Sequence, residues 1–315
     1  VRMAERKAEE AGAIFTKLTE QDPANPTAFY RLGLLNRALK KEDKALKNFN
    51  TALALNPNLM DVFSNLIAVL AGQKKYDTAI AKCDSHINRV DDSPIVKAVI
   101  MNLKGNLQLS SNQTENGKQT LRKAIEFNPG YITPYLSLGR VLAQENHLDQ
   151  AIELYQGLIK NRPDQASPHG LVGNLYERQK KFDLAETHYK KALDINPDYI
   201  PAANNLAFLY AEQEKELNAA LDLARRAKEK VGDLPAVMDT LGWVYYKKAL
   251  YDSAISEFKA CIDKEPKNPV FHYHLGLSYN KKGEAKKAKD ALTRALAISD
   301  SFPGAEDART VLKEL

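Results

Sequence analysis

The chain has 315 residues, 44% of them apolar and 27% charged, with a net charge of +5. That balance suits a folded chain and excludes wholesale disorder, and the small net charge does not call for nucleic acid as a partner. No apolar run approaches the roughly 18 residues of a membrane span, and the start carries no signal-peptide pattern.

In residues 1–25, Ala11, Phe15 and Leu18 fall on one helical stripe ahead of Pro23. They read as the second helix of a repeat whose first helix lies before Val1. The sequence is therefore expected to be part of a longer chain, and any anchor or targeting segment is expected in the part not given. From residue 26 onward a spacing returns about every 34 residues: Ala-x3-aromatic-x2-Ala-x4-Pro. It appears as Ala45, Phe49, Ala52, Pro57 and again as Ala185, Tyr189, Ala192, Pro197. About fifteen residues before each copy stands a Leu-Gly or similar pair, as at Leu32-Gly33, Leu138-Gly139, Val172-Gly173, Leu241-Gly242 and Leu275-Gly276. A fixed period of this length means stacked helical hairpins, each burying an apolar stripe that it cannot cover alone.

Aligned on the proline, the repeats begin near residues 26, 60, 98, 132, 166, 200, 235 and 269. Each is expected to hold a helix A, a short turn and a helix B that the proline ends. Glycine on helix A and the two alanines on helix B let the helices approach, and the aromatic fills the space between them. The second repeat has Asp91 in place of the proline, with extra residues around Asp91-Asp92-Ser93-Pro94. The third has Lys104 at the leucine position and Gly117 at the first helix B alanine. A glycine inside a helix costs about 1 kcal/mol relative to alanine, so this repeat is expected to be the weakest packed. A bend is expected there, dividing the repeats into 26–93 and 94–302. The sixth repeat carries one extra residue near Glu214 to Leu217 and resumes at Ala220, Ala224 and Ala227. Residues 303–315 open on Pro303, with Ala308, Val311, Leu312 and Leu315 on one face, and read as the capping helix an open array requires.

Lysine pairs recur near the turn inside several repeats: Lys40-Lys41, Lys74-Lys75, Lys180-Lys181, Lys247-Lys248 and Lys281-Lys282. They read as cations at helix C-termini, or as an edge for an anionic polymer or surface. Cys83 and Cys261 occupy core positions about five repeats apart, beyond disulfide reach, and read as small buried hydrophobes. No phosphate-binding loop, nucleophile elbow or zinc-type cysteine pair is present. His169 and His272 fall on packing positions of helix A, and His86 replaces a helix B alanine. His272 and His274 are two apart and so on different faces, poor joint ligands for a metal. No catalytic residue, cofactor or metal is expected.

This signature resembles the tetratricopeptide repeat family over nearly the whole chain. The resemblance implies an all-α fold, a right-handed α-solenoid of about eight hairpins with a C-terminal capping helix, and a non-catalytic role in protein–protein recognition. In that family helix A lines a concave groove that takes extended or helical peptides. By position, the inner residues would include Asn102, Asn106, Arg140, Asn174, Glu177, Arg178 and Asn204, a polar channel able to pair a peptide backbone or carboxylate. In the last repeats the inner positions become Phe208, Trp243, Tyr246, Tyr273 and Leu277, an apolar strip expected to anchor a partner or a second copy. The clamp that cochaperones of the family use for a C-terminal carboxylate does not carry over. Asn174 and Asn205 match two of its positions, but Gly170, Ala236 and Thr240 stand where charged members belong. The asparagine ladder of sugar-transferring members is also broken.

The strings Asp239-Thr240-Leu241-Gly242-Trp243, Tyr273-His274-Leu275-Gly276 and Phe302-Pro303-Gly304 are similar to the ends of bacterial repeat lipoproteins tied to envelope export and exopolysaccharide production. They imply a scaffold in an envelope assembly or secretion system, periplasmic or lipid-anchored, with a cytoplasmic place left open. Two other readings stay open beside it: a targeting module of a larger enzyme, and a binder of polyanions or polysaccharides through the lysine edge.

Overall fold

The computed structural model describes residues 2–315, with side chains from Glu10 onward. Every regular element among them is an α-helix. A single helix, α1 (Arg2–Gln21), precedes eight antiparallel hairpins. These are α2 (Pro26–Ala38) with α3 (Glu42–Leu55), α4 (Met60–Gly72) with α5 (Tyr76–His86), α6 (Pro94–Ser110) with α7 (Thr114–Phe127), and α8 (Ile132–Gln144) with α9 (Leu148–Asn161). Then come α10 (Ala166–Arg178) with α11 (Phe182–Ile195), α12 (Ile200–Glu212) with α13 (Leu217–Val231), α14 (Pro235–Lys247) with α15 (Tyr251–Lys264), and α16 (Pro269–Lys282) with α17 (Ala285–Ile298). A last helix, α18 (Ala305–Glu314), follows. This is the all-α solenoid that the repeat spacing predicts.

The helix boundaries have local causes. Proline opens α2, α6, α14 and α16, where its missing N–H is no loss and its fixed φ suits the first turn. Asn25 caps α2, its Oδ1 accepting from the amides of Thr27 at 3.0 Å and Ala28 at 3.4 Å. The turn inside every hairpin places a residue in the left-handed region: Lys40, Lys74, Asn112, Asn146, Lys180, Glu214, Ala249 and Gly283, with φ from 52° to 83°, and the turn between α12 and α13 adds Glu216 at 50°. The next amide then closes back on helix A, as from Lys41 N to Asn36 O at 2.8 Å and from Leu250 N to Tyr245 O at 2.9 Å. That closure satisfies carbonyls which the end of a helix leaves open. Three of the lysine pairs thus begin on the turn residue itself. Others are tied to carboxylates: Lys247 to Glu214 at 3.0 Å, and Lys282 to Asp252 at 2.6 Å and Glu284 at 2.9 Å.

The helices fall into two compact units, one ending at Asn161 and the other starting at Arg162. The position after residue 93, where the sequence leads one to expect a division, lies inside the first unit. There α5 stops at His86, and residues 87–93 lead to Pro94 at the start of α6. In each unit the repeating alanines and aromatics form the core. Phe49, Phe63, Leu66, Ile100 and Leu107 are buried in the first; Tyr189, Leu206, Tyr210, Leu241, Phe258 and Leu292 are buried in the second. Gly33 shows why helix A needs glycine, because a Cβ there would lie 2.5 Å from the Phe49 ring. Cys83 and Cys261 are buried free thiols, and burial pushes both up to about 12.

Repeat 3 corrects the expectation of weak packing. A Cβ on Gly117 would lie 2.7 Å from Leu109 and 3.0 Å from the carbonyl oxygen of Gly105. A Cβ on Gly105 would in turn lie 2.8 Å from Leu121 and 3.2 Å from the Gly117 carbonyl. The two glycines face each other, so α6 and α7 approach backbone to backbone. What propensity alone reads as a defect is a close contact.

Candidate partner-binding site

In the first unit, α6 and α8 are consecutive A helices, and a cavity of about 430 Å³ opens between them. Asn106 and Ser110 line it from α6, Arg140 and Gln144 from α8, with Leu109, Thr114, Val141 and Glu145 completing the wall. Ser110 follows Asn106 by four residues, and Gln144 follows Arg140 by four, so each pair shares a helix face. Two residues of the expected polar channel, Asn106 and Arg140, are therefore brought together here.

Their bonding differs. Asn106 Nδ2 donates to the Asn102 backbone carbonyl at 2.8 Å and to Asn102 Oδ1 at 3.2 Å. Arg140 is exposed and has no ion-pair partner among the described residues. The lining carboxylate, Glu145, already accepts from Lys118 Nζ at 2.8 Å, and Lys118 also reaches Glu115 at 2.7 Å. Those two hydrogen bonds hold the Lys118 ammonium above its ordinary pKa. The cavity thus presents a guanidinium without an ion-pair partner among the described residues, two hydroxyls and two amides over the apolar side chains of Leu109 and Val141. Asn102 is 5% exposed, and its Nδ2 lies 3.4 Å from the Tyr131 hydroxyl. It is nearly fully buried and accepts from Asn106 through both its backbone and side-chain carbonyl oxygens.

In the second unit the expected apolar strip is mostly occupied from within. Trp243, Tyr273 and Leu277 are 7%, 8% and 6% exposed. Trp243 stacks on Tyr246 at 4.9 Å and on His274 at 4.4 Å, and its indole N–H donates to Glu212 at 2.6 Å. Tyr273 packs against Phe302 at 5.8 Å and donates its hydroxyl to Asp307 at 2.9 Å. Gly304 brings the backbone so near that a Cβ would meet the Tyr273 ring at 2.3 Å. The segment leading into α18 therefore covers that end of the strip. Phe208 and Tyr246 are half-buried and pack on the same core.

The polar residues expected in this unit differ in their surroundings. Asn174 and Arg178 are exposed on α10. Asn204 is half-buried, with an unpaired and buried Oδ1. Glu177 accepts from the Tyr189 hydroxyl at 2.7 Å, and burial raises its pKa against the lowering effect of that bond.

Profiles described as tetratricopeptide repeat match residues 26–59, 108–175, 166–199 and 240–306, together more than half of the chain. The chain belongs to the tetratricopeptide repeat family. The protein O-mannosyl-transferase TMTC3 of Homo sapiens is 26% identical over 217 residues, which is 68% of this chain and 23% of that protein. The BBSome complex member BBS4 of Bos taurus is 24% identical over 267 residues, 84% of this chain and 50% of that protein. The chain thus spans half or less of either relative. A solved structure of the APC/C hetero-tetramer Cut9-Hcn1 matches with a TM-score of 0.62 and 19% identity, covering 98% of this chain and 58% of that one. It shows the same fold.

On its tetratricopeptide hairpins this chain carries a polar cavity between two A helices, α6 and α8, whose residues recur at matching positions. Reading by sequence missed Ser110, Thr114, Gln144 and Glu145. The signal was present in the four-residue step from Asn106 and from Arg140, which places a second polar row beside the first. No cluster of three or more metal-binding side chains occurs among the described residues. No helix among them is long and apolar enough to cross a membrane.

Proposed function

We propose that this chain is a non-catalytic protein-interaction scaffold, and that its first unit takes an acidic segment of a partner protein between α6 and α8. The observation that carries this reading is the cavity joining Asn106, Ser110, Arg140 and Gln144, with the Arg140 guanidinium free of an ion-pair partner among the described residues. A planar guanidinium offers two parallel N–H donors to a carboxylate. Asn106, Ser110, Thr114 and Gln144 supply side-chain donors and acceptors for an extended backbone. A solenoid with hairpins on this spacing has many surfaces for assembly, in keeping with a relative named as a member of a protein complex. The relative named as a transferase aligns over 23% of its length, and no arrangement of nucleophile, base and orienting group accompanies the cavity described here.

A finer reading places the scaffold in a bacterial envelope assembly or secretion system. Its support is the strings around Trp243, Tyr273 and Phe302. Packing gives those residues another reason: Gly242 lies against Phe258 and Gly304 against Tyr273. The scaffold reading therefore stands apart from the compartment.

The test is recovery of a partner from the native host by the wild-type chain and by Arg140→Glu, with folding checked by circular dichroism. A lost charge-assisted hydrogen bond is worth about 1.5–3 kcal/mol, so binding of the recovered partner should weaken about 10- to 100-fold. Equal binding by both would remove the cavity from the account.

A further inference from the structure

We propose that the groove between α1 and α3, in the first unit and built from residues separate from the α6–α8 cavity, docks an acidic amphipathic helix of a partner protein. α1 and α3 are successive B helices, and α2 forms the floor between them. The groove has a volume of about 530 Å³. Its floor is the half-buried row Phe29, Leu32, Leu35 and Leu39 of α2, and Lys41, Lys44 and Lys47 stand exposed along the α3 side. Gly12 seats α1 on this floor, since a Cβ there would lie 3.4 Å from Leu35 Cδ2. Among the described residues no carboxylate lines the groove. Glu42, next to Lys41 in the chain, accepts from Gln73 at the end of α4 at 2.6 Å and so faces the following hairpin.

The charge is particular to this groove. Grooves at the same repeat positions lie between α7 and α9 over Tyr135, and between α15 and α17 over Leu275 and Tyr279. Where α3 has Lys47, α9 has Glu153 and α17 has Asp290. Those two grooves mix carboxylates with their cations, so repeat geometry alone does not account for a row of one sign. Three ammonium groups beside an apolar floor complement a segment with apolar residues on one face and carboxylates flanking them. The lysines are three residues apart, about 4.5 Å of helix rise per step. Glutamates three or four residues apart on a helix step by about 4.5–6 Å, whereas same-face residues of an extended strand step by about 6.6 Å. A helical occupant therefore keeps register with the lysine row. The floor is recessed between two helix walls, which receives a ridge of side chains rather than a flat bilayer surface.

The probe is a fluorescein-labelled helical peptide of about 18 residues, with leucines on one face and glutamates flanking them, read by anisotropy against the tag-free chain. Companion peptides carry glutamine for the glutamates, or serine for the leucines, and so test both parts of the groove without altering the protein. The expected result is saturable binding to the wild type. Binding should be about tenfold weaker for either companion peptide and for the double variant Lys44→Glu/Lys47→Glu. Methyl NMR on the wild type should show the peptide shifting Leu32, Leu35 and Leu39. No saturable binding, unchanged affinity in the folded double variant, or unmoved leucine methyls would each overturn the site. Loss in Arg140→Glu with none in the double variant would place the peptide in the α6–α8 cavity and overturn it too. So would lysine-dependent binding to phosphatidylserine–phosphatidylcholine vesicles that the peptide does not displace, the mark of a lipid surface. Each of these results leaves the Arg140 test of the α6–α8 cavity standing on its own.

Discussion

Gly117 and Gly157 both lie inside B helices, yet the same substitution to alanine is expected to change stability in opposite directions. Helix propensity favours alanine over glycine by about 1 kcal/mol at each. At Gly157 no atom lies within 4 Å of the added Cβ, so Gly157→Ala should gain most of that, about 0.5–1 kcal/mol. At Gly117 the Cβ would sit 2.7 Å from Leu109 Cδ2 and 3.0 Å from the Gly105 carbonyl oxygen. The leucine can rotate, but the carbonyl belongs to α6 and yields only if the two helices separate by a few tenths of an ångström. Overpacking of this kind costs about 1–3 kcal/mol, which exceeds the propensity gain. Gly117→Ala should therefore lose up to about 2 kcal/mol, most simply about 1 kcal/mol. Guanidinium denaturation followed by circular dichroism, with slopes compared to confirm a common transition, measures both variants. A Gly117→Ala chain as stabilised as Gly157→Ala would refute the backbone-to-backbone contact of α6 with α7.

Other expectations follow from the same geometry. Ala249 holds φ at 56° in an exposed turn where the equivalent residue of the next hairpin is Gly283, so Ala249→Gly should stabilise the chain by about 0.5–1 kcal/mol. Phe258 is fully buried against Gly242, and Phe258→Ala should cost about 3–5 kcal/mol by the same denaturation assay. His86 is 3% exposed and stacked on Phe63 at 3.9 Å, and its pKa is lowered, first by burial and then by Arg89. A lowered histidine pKa means the unfolded chain takes up the proton first. Stability should fall as pH drops below the ordinary value of 6.5, and His86→Phe should flatten that part of a stability-against-pH curve.

The fold was legible because each position of the repeat has its own packing reason. The alanines at 45, 185 and 254 are fully buried where helices touch, and Pro26, Pro94, Pro235 and Pro269 stand where helices begin. Gly117 misled because helix propensity looks along one helix, whereas the reason for the glycine lies across the hairpin in Gly105. The apolar strip misled for a related cause. Trp243, Tyr273 and Leu277 occupy inner positions by repeat numbering, but neighbouring side chains and the segment around Phe302 and Gly304 cover them. Only the folded end of the array shows that. The cavity was half legible: Asn106 and Arg140 stand out by type, whereas Ser110 and Gln144 look like ordinary surface until their A helices are set side by side.

The central claim, that a partner segment lies between α6 and α8, is tested most directly by site-specific photo-cross-linking in the native host. A photoreactive residue at Gln144, on the cavity wall, is compared with one at Lys123, exposed on helix B of the preceding hairpin. The account predicts a discrete cross-linked partner from position 144 that disappears with Arg140→Glu, and none from position 123. A partner captured equally from both positions, or from 123 alone, would contradict it.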